Sequence, residues 1–203
     1  MLIELVHRVQ GILLKPREEW IKIKEEFFPL ISQLYSSYVL ILAAIPPVIG
    51  FLANLLYGGF RKPYSGWSWN VAGKNFLFSI VTYIFSLIVV YVIGRIINVL
   101  APIFSSRRSN LNSLKVAVYS LTPFWVGGVL YLVPRTGWIM RDLIALYGIY
   151  ILYSGFAASL METPREKVLK YLIVSGILAI VLIAGVEVIL RTLFAVWGVL
   201  RVA

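Results

Sequence analysis

The chain has 203 residues, of which 60% are hydrophobic and 14% are charged, and its mean hydropathy is +0.88. Soluble domains carry about 25% charged residues, so this composition excludes a water-soluble fold. The net charge of +10 comes from Lys and Arg residues that flank apolar stretches, which indicates contact with anionic lipid headgroups and not with nucleic acid.

The first segment, residues 1–30, has the pattern of an amphipathic helix. Pro16 begins a stretch in which acidic residues precede basic ones, as is typical of a helix. Trp20, Ile23 and Phe27 are three and four residues apart and share one apolar face. This pattern is typical of a helix that lies on a membrane or against a helix bundle. We predict that these three residues contact the membrane surface, with a partner-binding helix as the alternative.

The rest of the chain, residues 31–203, contains five stretches without Asp, Glu, Lys or Arg. Their lengths are close to the roughly 20 apolar residues that a membrane-spanning helix needs. Backbone groups in hydrocarbon must bond internally, so such stretches are helical. We therefore predict an all-α membrane protein, a bundle of about five transmembrane helices preceded by the amphipathic helix. The predicted spans are residues 32–57, 75–100, 115–134, 142–161 and 168–198.

The last span contains charged residues at membrane depth. Its charge-free part has only 16 residues, about 24 Å of helix, so Glu187 must lie inside a core of roughly 30 Å. Arg191 follows on the same face, and Arg141 and Asp142 begin the preceding antiparallel helix. We predict that these four residues form a polar cluster near one membrane surface. Either a structural clamp between two helices or an ion pathway is compatible with the sequence.

The distribution of basic residues predicts the orientation of the bundle. Twelve Lys and Arg residues lie on the side of the N-terminus and seven on the opposite side. The positive-inside rule therefore predicts a cytoplasmic N-terminus and an external C-terminus. Trp67, Trp69, Trp138 and Trp197 are then close to the external interface, whereas Trp125 is expected to pack inside the bundle.

The sequence contains few residues that could support catalysis. Cysteine is absent, His7 is the single histidine, and no HExxH, P-loop or GxGxxG motif occurs. We expect no catalytic residue, no metal and no cofactor. Pro46, Pro47 and Pro123 interrupt predicted spans and free backbone carbonyls, and kinked helices of this kind can line a cavity.

Several segments resemble the Yip domain family of Ypt and Rab GTPase-interacting membrane proteins, in particular its prokaryotic branch. The N-terminal segment, the third span and the fourth span carry the similarity. The matching residues are Ile12–Pro16 with Glu19 and Trp20, Val118–Pro123 with Leu130–Pro134, and Leu146–Tyr150 with Tyr153–Phe156, Met161–Pro164 and Lys167.

The resemblance implies five helices, a cytoplasmic N-terminus and a role in membrane organisation or trafficking through partners. Tyr119 and Pro123 match the tyrosine-to-proline motif, and we expect them to determine the local helix bend and packing. The predicted function is that of a non-enzymatic membrane-organising or interaction scaffold in the cytoplasmic membrane of a prokaryote. The alternative is a small channel or transporter with a polar cavity. The predicted partners are the lipid bilayer and other membrane proteins or a second copy of the chain.

Overall fold

The computed structural model describes residues 2–25, 31–61, 69–158 and 160–196, and the secondary structure in these ranges is helical. Five of the helical stretches are long and apolar enough to cross a membrane. The predicted all-α membrane bundle is thereby confirmed. The five spans are Ile31–Tyr57, Ala72–Phe104, Asn110–Leu132, Gly137–Ala157 and Arg165–Phe194.

Two helices precede the spans, where the sequence predicted one. Helix α1 comprises Leu2–Leu14 and helix α2 comprises Pro16–Glu25. Pro16 is the first residue of α2, a position where its missing N–H removes no helical hydrogen bond. The two helices pack on each other through the turn at Lys15, and we call them the N-terminal hairpin.

The first span is interrupted. It contains short helices at Ile31–Leu34 and Leu40–Leu42 with a π-helical turn between them, and a regular helix at Ile45–Arg61. The break comes directly before Pro46 and Pro47, which cannot donate hydrogen bonds to the preceding turn.

The second and fifth spans form the outer wall of the bundle. Their helices, Trp69–Leu100 and Arg165–Val196, have 32 residues each and are about 48 Å long. Only 11% and 6% of their most apolar windows are buried, so most of their side chains face outward, as expected for contact with lipid.

The third span is the centre of the bundle, with 72% of its most apolar window buried. It consists of helices Asn110–Ser120 and Thr122–Gly127 and a 3₁₀ segment at Gly128–Leu132. The helix breaks at Leu121, and Pro123 lies in the first turn of the segment that follows.

The fourth span, Gly137–Ala157, begins five residues earlier than the sequence predicted. The predicted start at residue 142 rested on the charges of Arg141 and Asp142. Arg141 instead belongs to the helix, and its side chain is buried in the bundle, where its guanidinium has hydrogen-bond partners. We call the end of the bundle with connections 105–109 and 158–164 the hairpin end, and the end with connection 133–136 the cavity end.

Candidate functional site

The N-terminal hairpin is fastened to the bundle by the indole of Trp20. Its Nε1 donates to the carbonyl oxygen of Ile151 at 3.1 Å and to Oγ of Ser154 at 3.0 Å. Trp20 and Ile23 are both fully buried. Further along α2, Nζ of Lys115 donates to the carbonyl oxygen of Ile23 at 2.9 Å. A cation in this position bonds a carbonyl in the last turn of α2 and complements the negative end of the helix dipole.

These contacts correct the predicted role of the apolar face of α2. Trp20 and Ile23 pack against the protein's own helices and are not available to a membrane surface or a partner. Phe27, the third predicted contact, lies outside the described residues. Periodicity shows that a helix has an apolar face, but the pattern is the same whether lipid or protein covers that face.

Tyr119 connects the hairpin to the first and third spans. Its ring meets Trp20 edge to face at a centroid distance of 5.7 Å and meets Tyr38 at 4.9 Å. The hydroxyl of Tyr38 is 2.8 Å from Oγ1 of Thr122, and both residues are buried. Thr122 directly precedes Pro123, so the helix break lies beside this aromatic cluster.

An ion pair inside the hairpin joins its two helices. Nη1 of Arg8 is 2.5 Å from Oε1 of Glu19, and Glu19 is only 6% exposed. Gly11 leaves the space for this carboxylate, since a β-carbon there would be 2.5 Å from Cδ of Glu19. The sequence analysis did not identify this pair, because spacing alone does not show that Glu19 faces α1.

At the cavity end, Arg141 is buried with a dense set of partners. Its guanidinium forms an ion pair with Asp142 and donates to the hydroxyl of Tyr131. Its Cζ lies 4.8 Å from the ring centroid of Phe124 and 5.2 Å from that of Tyr131. Cation–π contacts of this kind stabilise a charge that water does not reach.

Glu187 and Arg191 form the second charged pair, on the fifth span. Nη2 and Nε of Arg191 are 2.5 Å and 3.1 Å from Oε1 of Glu187. Each carboxylate of the predicted cluster is therefore paired with an arginine of its own helix. Arg141, Glu187 and Arg191 all line one cavity, which brings the two pairs to the same place in the fold.

This cavity has a volume of about 780 Å³ and is bordered by all five spans. Ligand sites typically have volumes of about 300–1,000 Å³. Most of its wall is apolar, and it includes the proline-kinked part of the first span, Pro46 and Pro47. Trp125, which the sequence predicted to lie inside, is 1% exposed and also forms part of the wall.

Thr82 and Ser86 of the second span also line the cavity. Oγ1 of Thr82 and Oγ of Ser86 are buried, and neither has a hydrogen-bond partner in the part of the chain that the structure describes. An unpaired buried hydroxyl lowers stability and is uncommon. The sequence analysis missed both residues, although their spacing of four places them on one helix face. Over the described ranges, no group of three or more His, Cys, Asp or Glu residues is arranged to hold a metal.

Comparison with known proteins gives a family match over most of the chain. The family model described as Yip1 domain matches residues 11–186. The Inner membrane protein YohC of Escherichia coli (strain K12) is 28% identical over an alignment 202 positions long. The alignment covers 94% of this chain and 95% of YohC. The protein of the same name from Escherichia coli O6:H1 (strain CFT073) has the same identity and coverage. No solved structure matches the chain significantly.

Proposed function

The chain belongs to the Yip1 domain family, and from this premise we propose that it is a non-enzymatic membrane-organising scaffold whose working surface is the N-terminal hairpin. It is an integral membrane protein, as its apolar spans require. We place it in the cytoplasmic membrane of a prokaryote, because the relative from Escherichia coli is named as an inner membrane protein.

The observation that carries the proposal is the division of the hairpin into a docked face and a free apolar face. The docked face carries Trp20 and Ile23, which are buried in the bundle. On the free face of α1, Ile3 is 74% exposed, and Leu2, Val6 and Leu14 are also exposed. Water does not favour an apolar helix surface of this kind, whereas the boundary between headgroups and acyl chains does.

The charges of the hairpin end support the same placement. Basic side chains lie on α2 and in the turn before it, and further Lys and Arg residues lie in connection 105–109 and in the first turn of the fifth span. They are Lys15, Arg17, Lys22, Lys24, Arg107, Arg108, Arg165 and Lys167. By the positive-inside rule this end is cytoplasmic, which places the C-terminus outside. Basic side chains at that surface attract anionic headgroups.

A docked hairpin of this kind acts on the bilayer as a wedge. Trp20, Lys115 and the aromatic cluster hold α2 to the spans, and the ion pair of Arg8 with Glu19 holds α1 to α2. An apolar helix face inserted into one leaflet increases the area of that leaflet, and the bilayer relieves the difference by bending. The scaffold would thus shape the membrane around itself.

Reconstitution tests this function directly. The full chain is incorporated into vesicles that contain phosphatidylglycerol, and vesicle shape is imaged by cryo-electron microscopy. We expect wild-type protein to reduce vesicle radius and the double variant Ile3→Glu with Val6→Glu to lose that effect. Gln33→Glu is the matched control, because it adds a carboxylate at an exposed, already polar position outside α1, whereas Gln10 lies on the apolar face itself. Equal vesicle shapes for the double variant and wild type would contradict the proposal.

The alternative of a small channel or transporter has less support. The cavity wall is mainly apolar, and the carboxylate of Glu187 is paired with Arg191. Both features favour retention of an apolar molecule over the passage of an ion. Flux measurements on the same vesicles test this alternative, since ion or solute flux above that of empty vesicles would favour the channel.

A further inference from the structure

The cavity is polar beside connection 133–136, a part that we call its mouth, and it is apolar further from that connection. Along the second span its wall extends from Phe78 to Val89, twelve residues or about 16 Å of helix. The deep part is formed by apolar residues such as Ala43, Val89 and Leu121, whereas arginines lie at the end near connection 133–136. A molecule that fits both parts needs a polar head and an apolar chain.

The charges at the mouth are predominantly positive. Arg135, Arg141 and Arg191 border the cavity, and the acidic residues beside them are Glu187 in the wall and Asp142 next to Arg141. Three guanidinium groups against two carboxylates leave one net positive charge. Arg135 is exposed and lies in the connection at the mouth, so its planar guanidinium is accessible to a phosphate.

Thr82 and Ser86 line the wall between the polar part and the apolar part of the cavity. Their hydroxyl oxygens are buried and have no hydrogen-bond partner within the described ranges, so a rotation of either side chain toward the cavity would supply a donor there. Hydroxyls donate to carbonyl oxygens, and the ester carbonyls of a glycerolipid lie between its headgroup and its acyl chains. A lipid that enters from the bilayer could therefore satisfy both groups.

We propose that this cavity binds an anionic phospholipid of the surrounding leaflet, with the phosphate at Arg135, Arg141 and Arg191 and an acyl chain along the apolar wall. The cavity extends about 16 Å along the second span and its wall is mainly apolar, which favours a lipid as the occupant, because a free phosphate would use only the mouth. The inference is independent of the proposed scaffold function, since the cavity and the N-terminal hairpin use different residues.

Native mass spectrometry of the full chain tests the proposal. The protein is released from nanodiscs that contain equal amounts of phosphatidylglycerol and phosphatidylcholine, and the retained lipids are counted. We expect one phosphatidylglycerol per chain, with a preference over phosphatidylcholine of about tenfold. Equal retention of the two lipids, or displacement of phosphatidylglycerol by millimolar inorganic phosphate, would overturn the proposal.

Two glycines provide a matched pair of variants, one that reduces the cavity volume and one that leaves the cavity unchanged. Gly50 lines the cavity, and a β-carbon there would meet only Cδ2 of Tyr131 at 3.8 Å, which is an ordinary contact. Gly185 lies on the fifth span with no atom within 4 Å of its β-position. We expect Gly50→Leu to reduce lipid retention about tenfold and Gly185→Leu to leave it unchanged. Equal retention by these two variants would reject the site.

A third variant tests the headgroup without altering the volume. Arg135→Gln changes an exposed side chain at the mouth, so folding is not at risk. We expect the preference for phosphatidylglycerol over phosphatidylcholine to fall about threefold while total retention of phosphatidylcholine stays the same. An unchanged preference would show that the guanidinium does not bind the phosphate.

Discussion

The indole of Trp20 lies directly against Gly155: a β-carbon on Gly155 would be 2.8 Å from Cζ2 of Trp20. The neighbouring Ser154 accepts a hydrogen bond from the same indole across a separation of 134 residues. The glycine at position 155 thus allows α2 to approach the fourth span closely enough for that hydrogen bond. Helix–helix contacts in membranes commonly depend on small residues in this way.

Substitution of Gly155 should release this contact. We expect Gly155→Ala to destabilise the protein by about 1–3 kcal/mol, because the added methyl group displaces a buried ring. Thermal unfolding in one detergent measures the change. Gly176→Ala is the control, since nothing lies within 4 Å of its β-position, and its melting temperature should be unchanged or higher. The same melting temperature for both variants would argue against the contact.

Graded substitution of Trp20 should separate its hydrogen bonds from its packing. Trp20→Phe removes the N–H but keeps most of the ring, and we expect a loss of about 1 kcal/mol. Trp20→Ala leaves a cavity and should lower stability by about 3–5 kcal/mol. Trp138→Phe is the comparison, because that indole is 56% exposed and its variant should change stability by less than about 0.5 kcal/mol. Chemical denaturation measures these changes in the free energy of unfolding. Similar losses of stability for Trp20→Ala and Trp138→Phe would contradict the docked position of Trp20.

The hydrogen bond between Tyr38 and Thr122 should be measurable as a coupling energy. The two hydroxyl oxygens are 2.8 Å apart in the buried cluster. A double-mutant cycle of Tyr38→Phe and Thr122→Val should give about 0.6 kcal/mol, the average for such bonds between membrane helices. Thr192→Val serves as the distant partner in a control cycle, because its hydroxyl donates to Val188 within its own helix. A coupling no larger than that of the control cycle would mean that the bond does not form.

The two charged pairs at the cavity end should differ in their contribution to stability. Asp142 pairs with a guanidinium whose side chain is 8% exposed, whereas Glu187 pairs with one that is 65% exposed. We expect Asp142→Asn to lower stability by about 1–3 kcal/mol, since the mostly buried guanidinium of Arg141 loses its carboxylate partner. Glu187→Gln should cost less than about 0.5 kcal/mol, since Arg191 can extend toward headgroups. The order of the two melting temperatures is the test, and a reversed order would contradict the assigned burial.

Some features of this protein follow from its sequence alone. Long charge-free stretches predicted five spanning helices, because hydrocarbon offers the backbone no hydrogen-bonding partner other than itself. The motif around Tyr119 and Pro123 predicted the family that the comparisons confirm. The boundaries of the fourth span were less accurate, since a charge marks the end of a span only when it faces water. Arg141 has aromatic and carboxylate partners instead.

Only the tertiary structure shows which face of each helix packs against protein and which remains free. The period of apolar residues in α2 is the same for a helix on lipid and for a helix against protein, and only the tertiary contacts of Trp20 with Ser154 and Gly155 show that it faces inward. The cavity likewise depends on how far the five spans separate, which no local pattern encodes. Sequence therefore determined which segments enter the membrane through the hydrophobic effect and backbone hydrogen bonding. Packing between distant residues determined what those segments enclose and which of their surfaces remain free.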